Sequence, residues 1–248
     1  MIKEFCTNGR VARVDGGRLD RVNVSNIAMK NVGGAIFIRL GNRARSYQGE
    51  KPGMGSVGNI MISNVQASGI GSIGCSVTGL PRHPVENVSL NNIRITFEGG
   101  GTRQDATRSI PEKEQDYPEY NMFGRLPAYG FYCRHAKNIR FRHMELGFEN
   151  EDHRPALVFE DVRDVDIFDF DAESTASAEA LIWFRQVDGA FLHGCRPSRK
   201  IGTFLRVDSA ESNNITLTGN DLGNVKRVLA IGEGIKETAV HIVGNRTN

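Results

Sequence analysis

Long hydrophobic runs are missing. Nothing in the 248 residues approaches the roughly 20 consecutive apolar residues of a membrane span, which predicts no membrane partner. The opening stretch MIKEFCTNGR has no apolar core of the kind a secretory signal needs, so any export address is expected outside this sequence. Net charge is nearly absent too, at +2, and gives no reason to expect nucleic acid as a partner. The few cysteines, Cys6, Cys75, Cys133 and Cys195, are widely spaced with no C-x-x-C pair. This excludes a zinc site and a disulfide framework and predicts buried thiols. Runs of ten or more residues with apolar spacing near 3.6 are also lacking, which excludes a helical repeat. Fixed-offset leucines beside an asparagine are lacking as well, which excludes a leucine-rich repeat.

What is present is a short apolar pattern that returns at a nearly constant interval. Its copies are NIRFRHM at Ile139, DVDIFDF at Val165, GAFLHGC at Ala190, NITLTGN at Ile215 and AVHIVGN at Val240, about 25 residues apart. Between them lies a second family of short runs: YGFYC from Tyr129, ALVF from Ala156, LIWF from Leu181, TFLRV from Thr203 and VLAI from Val228. Four to six residues rich in β-branched and aromatic types read as strands. The pattern predicts an all-β, right-handed parallel β-helix, one domain over residues 1–248. Ile139, Val165, Ala190, Ile215 and Val240 form one inward column, and Phe141, Ile167, Leu192, Leu217 and Ile242 a second. Upstream, Val22, Ile60 and Val88 open matching copies.

The longer gaps are read as insertions at turns: a polar loop over 43–59 and a larger one over 98–127. The second is charged and carries Tyr117, Tyr120, Met122, Phe123 and Arg125. Aromatics among charges above a solenoid groove suit a sugar-binding lid, with a ring face covering the sugar and Arg125 reaching its hydroxyls or carboxylate.

The runs GRLDRVNVSNIAMKNVGGAIFIRLGNR, CSVTGLPRHPVENVSLNNI and YPEYNMFGRLPAYGFYCRH followed by RPALVFEDV resemble the polygalacturonase-type glycoside hydrolases, family 28. The resemblance covers nearly the whole chain and corresponds to the C-terminal part of that family's domain. It implies an inverting hydrolase of polygalacturonan or rhamnogalacturonan, extracellular or periplasmic, with two carboxyl groups sharing the proton transfers. The family's N-T-D, D-D and G-H-G motifs do not occur in this chain, so the catalytic acids are expected upstream and no catalytic residue is assigned here. Its R-I-K motif falls near Arg10-Val11-Ala12, with lysine replaced, or in a rival register on Glu4-Phe5-Cys6. In the family these cations hold a uronate carboxylate, a use that suits the donor fork of Arg10.

Arg39 closes one strand, Tyr129 opens another, and Arg134 and His135 follow it, so all four are candidates to face a groove from strand edges. With Arg10, Tyr120 and Arg125 they form the predicted substrate-binding set. The acidic run of Glu160, Asp161, Asp164, Asp166, Asp169 and Asp171 alternates with apolar residues, which places most of it on a solvent face. That argues against a calcium-dependent lyase, and no metal or cofactor is implied. Asn23, Asn87, Asn214 and Asn245 match the glycosylation pattern, but Asn87 and Asn214 share one repeat position and read as turn residues.

Two functions remain. The chain is a portion of a pectin-type glycoside hydrolase, or a non-catalytic β-helix binding an acidic oligosaccharide or a partner chain. If Met1 is a true start, the first tier has no evident cap, which predicts self-association or cover by an upstream polypeptide.

Overall fold

The computed structural model describes residues 10–46 and 48–248, with backbone alone at Arg10 and Glu237. Cys6, the rival register on Glu4-Phe5-Cys6 and the question of a cap over 1–8 lie outside the described residues. The chain is all-β, with strands that pair in parallel throughout.

One ladder begins with β1 (Arg10–Arg13), β3 (Phe37–Leu40) and β5 (Cys75–Thr78). A second begins with β2 (Arg18–Lys30), β4 (Ser56–Ile70) and β6 (Val85–Gly99). Two long strands, β7 (Phe131–Asn150) and β8 (Leu157–Ala172), belong to both: β7 pairs with β5 through its first residues and with β6 through the rest. Past β8 the ladders separate again. The first continues through β9 (Ile182–Phe184), β11 (Ile201–Val207) and β13 (Val225–Ile231). The second continues through β10 (Val187–His193), β12 (Asn213–Thr218) and β14 (Val240–Val243).

The repeat spacing read from the sequence is the spacing of this register. Val22, Ile60, Val88, Ile139, Val165, Ala190, Ile215 and Val240 pair in one unbroken row. From Val22 to Ile215 the row is buried; only Val240, in the last tier, is partly exposed. The row through Phe141, Ile167, Leu192 and Leu217 is buried too, and ends at the exposed Ile242. A third inward row runs Val65–Ile93–Met144–Phe170. Phe131, Phe141, Phe159 and Phe184 meet at 5.3–5.7 Å between ring centroids, contacts each worth about 0.5–1.5 kcal/mol beyond area burial. Cys75, Cys133 and Cys195 are buried free thiols.

The long strands bend where residues take left-handed backbone angles, which short polar side chains tolerate. Asn59, Asn87, Asn138 and Asp164 do so at one corner, and Asn26, Asn64, Asn92, His143 and Asp169 at another. Their side chains form ladders along the stack, Asn138 donating to Asn87 at 2.7 Å and Asn87 to Asn59 at 2.9 Å. Asn214 has the same backbone angle. The shared repeat position of Asn87 and Asn214 is therefore a turn position.

Candidate functional site

Strand alternation gives the first ladder an outward face as well as an inward one. Phe37, Tyr132, Val158 and Trp183 point outward, and exposed they would form an apolar patch. They are buried because residues 100–127 lie directly on them, with Ala106, Ile110, Phe123 and Leu126 completing a second hydrophobic cluster. The insertion expected over 98–127 thus begins after β6 ends at Gly99, and it is a packed cover, not a lid held above a groove. It contains the short helix α1 (Arg103–Ala106), started by a capping box between Thr102 and Asp105.

The predicted substrate-binding residues separate into three groups. Arg10 takes its place in β1 opposite Phe37, and its side chain lies outside the described residues. Three others serve structure. Tyr129 is in the core, its hydroxyl donating to the Glu173 carbonyl at 2.7 Å and its ring edge-on to Phe97 and Phe148. Burial pushes that phenol well up from its ordinary pKa. Tyr129 lies two residues before β7, in phase with the inward Phe131, and its burial corrects its assignment to the groove. Arg125 closes the base of the cover, donating to the Gly100 carbonyl at 3.0 Å and to Ser72 Oγ at 3.2 Å. Tyr120 lies flat on Gly33 and Gly34, where a Cβ at either position would collide with its ring.

The remaining three, Arg39, Arg134 and His135, converge on Glu112 of the cover. Arg39 is buried and donates to the Gly79 carbonyl at 2.8 Å and to the Glu112 carbonyl at 2.5 Å. Burial holds its guanidinium down to about 10, which leaves it cationic at neutral pH. Arg134 pairs with the Glu112 carboxylate and, at 3.3 Å, with Glu160. His135 is held from both sides, Nδ1 at 2.5 Å from Asp161 and Nε2 at 3.0 Å from Glu112.

Burial would lower the His135 pKa, but its hydrogen bonds to Glu112 and Asp161 outweigh this and raise it. Burial would likewise raise Glu112, yet the His135 hydrogen bond and the nearby Arg134 and Arg39 lower it. The stabilisation from His135 is full below its ordinary value of 6.5 and is lost as pH rises through the raised value. That from Glu112 is full above its ordinary value of 4.5 and is lost as pH falls through the lowered value. The cover should therefore be held best between these two limits. Thermal melts should show stability declining on the alkaline side, and His135→Gln should flatten that decline. An unchanged slope in the variant would mean that the clamp does not titrate.

The outer edge of this cluster opens to solvent as a cleft of about 280 Å³. Its floor is Leu80, Pro84 and Ala136; His135 and Asp161 form one wall, and Arg82, Lys137 and Arg163 stand around the mouth. All three cations are exposed, and none has an ion-pair or hydrogen-bond partner among the described residues. Of two larger hollows, of about 340 and 380 Å³, the first has Arg94 paired with Glu145, and the second, which shares Arg82 and Pro84 with the cleft, has Arg18 paired with Asp20 and also takes in Glu86. Lys137 and Arg163 are register partners on adjacent tiers.

The sequence reading missed Glu112, Asp161 and the three cations. Asp161 could have been found, because it follows His135 by 26 residues, one repeat. Its place in the acidic run instead suggests a solvent face. Within that run Asp164 and Asp169 are exposed corners, whereas Glu160 and Asp161 turn into the cluster. Glu112 lies off the repeat and left no periodic signal.

The arrangement is suited to holding an anion. It is poorly suited to donating a proton, because Glu112 is held below the ordinary carboxylate range while a glycosidase acid needs a raised value. Among the described residues no group of three or more His, Cys, Asp or Glu is placed to hold a metal ion, and no helix is long and apolar enough to cross a membrane. No family model, curated protein or solved structure matches this chain.

Proposed function

We propose that this chain is the C-terminal portion of a polygalacturonase-type, right-handed parallel β-helix, and that its own task is to bind an acidic oligosaccharide in the cleft between Arg82, Lys137 and Arg163. The observation that carries the binding assignment is the set of three exposed cations around the cleft, none paired among the described residues. A sugar ring can rest on Pro84 and the aliphatic stems of Lys137 and Arg163 while its carboxylate reaches the cationic rim, where charge-assisted hydrogen bonds form. Parallel pairing through every tier, with the repeat near 25 residues, supports the β-helix. The family assignment rests on the sequence resemblance, and the catalytic acids belong to a part of the domain upstream of this chain.

Titration calorimetry tests the binding. Acidic pectic fragments should bind and neutral oligosaccharides of equal length should not. Hydrogen bonds to charged groups contribute about 1.5–3 kcal/mol each, so Lys137→Gln or Arg163→Gln should weaken binding about tenfold or more. Equal affinity for neutral and acidic sugars, or no response to either substitution, would refute the assignment.

A further inference from the structure

The row of side chains that includes Lys137 and Arg163 extends one tier beyond them on each side, and the charges there are of opposite sign. Glu86 is the register partner of Lys137, and Asp188 is the register partner of Arg163. Along the stack the order is therefore acid, base, base, acid. Neither end carboxylate lines the cleft. Asp188 is fixed by Asn214, which donates to it at 2.8 Å across the corner, and Glu86 is exposed. Adjacent tiers are separated by one strand spacing, roughly 4.8 Å. Within the cleft, Asp161 is committed to His135, and Arg82 adds a third positive group from the turn closed by Leu80 and His83.

This order does more than attract negative charge. Two anionic groups about one tier apart meet a cation each, while a third along the same line meets Glu86 at one end or Asp188 at the other. We infer that the cleft selects a saccharide of two acidic units, lying along the stacking direction with one carboxylate on Lys137 and the other on Arg163. The inference rests on the proposed binding of acidic oligosaccharide and names the length that this site accepts. Pro84 and the aliphatic stems of Lys137 and Arg163 favour a sugar over a simple dicarboxylate, which has no ring to lay on them.

The test is a calorimetric titration of the whole chain with galacturonate oligomers of one, two, three and four units, and with adipate as a ring-free dicarboxylate. Affinity should rise about tenfold from one unit to two and stay level or fall from two to three. Adipate should bind at least tenfold more weakly than the two-unit sugar. In the Glu86→Gln/Asp188→Asn double variant, which leaves the cleft lining intact, the three- and four-unit sugars should gain severalfold while the two-unit sugar is unchanged. A steady rise from two to four units that the double variant does not alter would overturn the length limit and leave acidic-oligosaccharide binding standing. Adipate binding as tightly as the two-unit sugar would overturn the saccharide assignment. No binding by any oligomer would overturn the proposed function itself.

Discussion

Purified chain incubated with polygalacturonate or rhamnogalacturonan fragments should release no measurable reducing ends. Glycoside hydrolysis by inversion needs one carboxyl group that keeps its proton and a second that activates water, and general acid–base steps contribute about 10²- to 10⁴-fold each. The carboxylate nearest the cleft on the cover, Glu112, is committed to His135 and Arg134 and holds its proton less tightly than an ordinary glutamate. Asp161 is occupied by the other nitrogen of the same imidazole. The motifs that carry the acids in the family that this sequence resembles do not occur in the chain. Reproducible release of reducing ends, abolished by a substitution at Glu112 or Asp161, would show that this cluster is catalytic after all.

Replacing Arg154 should destabilise the fold by about 3–5 kcal/mol, the cost of breaking a buried ion pair by removing one partner. Arg154 and Asp152 are both fully buried and joined by two hydrogen bonds, Nε to Oδ1 at 2.9 Å and Nη2 to Oδ2 at 2.7 Å. The same guanidinium donates to the carbonyls of Ser72 at 2.9 Å and Leu126 at 3.0 Å, and to those of Ile73 and Ala128. Asp152 in turn accepts from the Gly101 backbone at 2.9 Å, and a Cβ at Gly101 would strike both side chains. One ion pair thus ties both ends of the cover to the turn before β5. Arg154→Met leaves the Asp152 carboxylate without its cation and the Ser72, Leu126 and Ala128 carbonyls without this donor, while Ile73 keeps its bond from the Leu126 N–H. Arg154→Lys should fail nearly as badly, because an ammonium has neither the fork nor the reach of a guanidinium. Urea unfolding of the two variants checks this, and a loss below about 1 kcal/mol for Arg154→Met would mean that the pair does not anchor the cover.

Burial would push Asp152 up, but the Arg154 hydrogen bonds outweigh it and hold the group below its ordinary 3.8. The contribution of the pair is therefore present above that value and is lost as pH falls through the lowered one. Acid loss of the cover by this route lies well below the alkaline loss that begins at His135.

The inward rows from Val22 to Ile215 were legible because a stacked strand repeats the same apolar position at the same interval, and each row needs no information beyond one residue per tier. The row through Met144 and Phe170 was not legible. It follows a left-handed corner inside a strand that reads as one continuous run, and corners at His143 and Asp169 carry no glycine or proline to mark them. The outward apolar row was hidden for a different reason. Phe37, Tyr132 and Trp183 sit between inward residues, so their burial depends on a cover that the repeat does not encode. Of the candidate site, Arg134 and His135 were found as strand-edge residues, while Glu112 sits in the insertion and Arg154 bonds mostly to backbone carbonyls, which leave no residue-type pattern to read. Lys137 and Arg163 were visible only as charges, and their meaning comes from the register that makes them neighbours.

Backbone amide shift mapping with a two-unit galacturonate oligomer shows whether an acidic oligosaccharide occupies the Arg82–Lys137–Arg163 cleft. Shifts should concentrate at Leu80, Arg82, the His135–Lys137 stretch and the Asp161–Arg163 stretch, and raised salt should suppress them as expected for exposed charges. Shifts centred instead on residues 100–127 or on the corner asparagines, or no shifts at millimolar ligand, would contradict that occupancy.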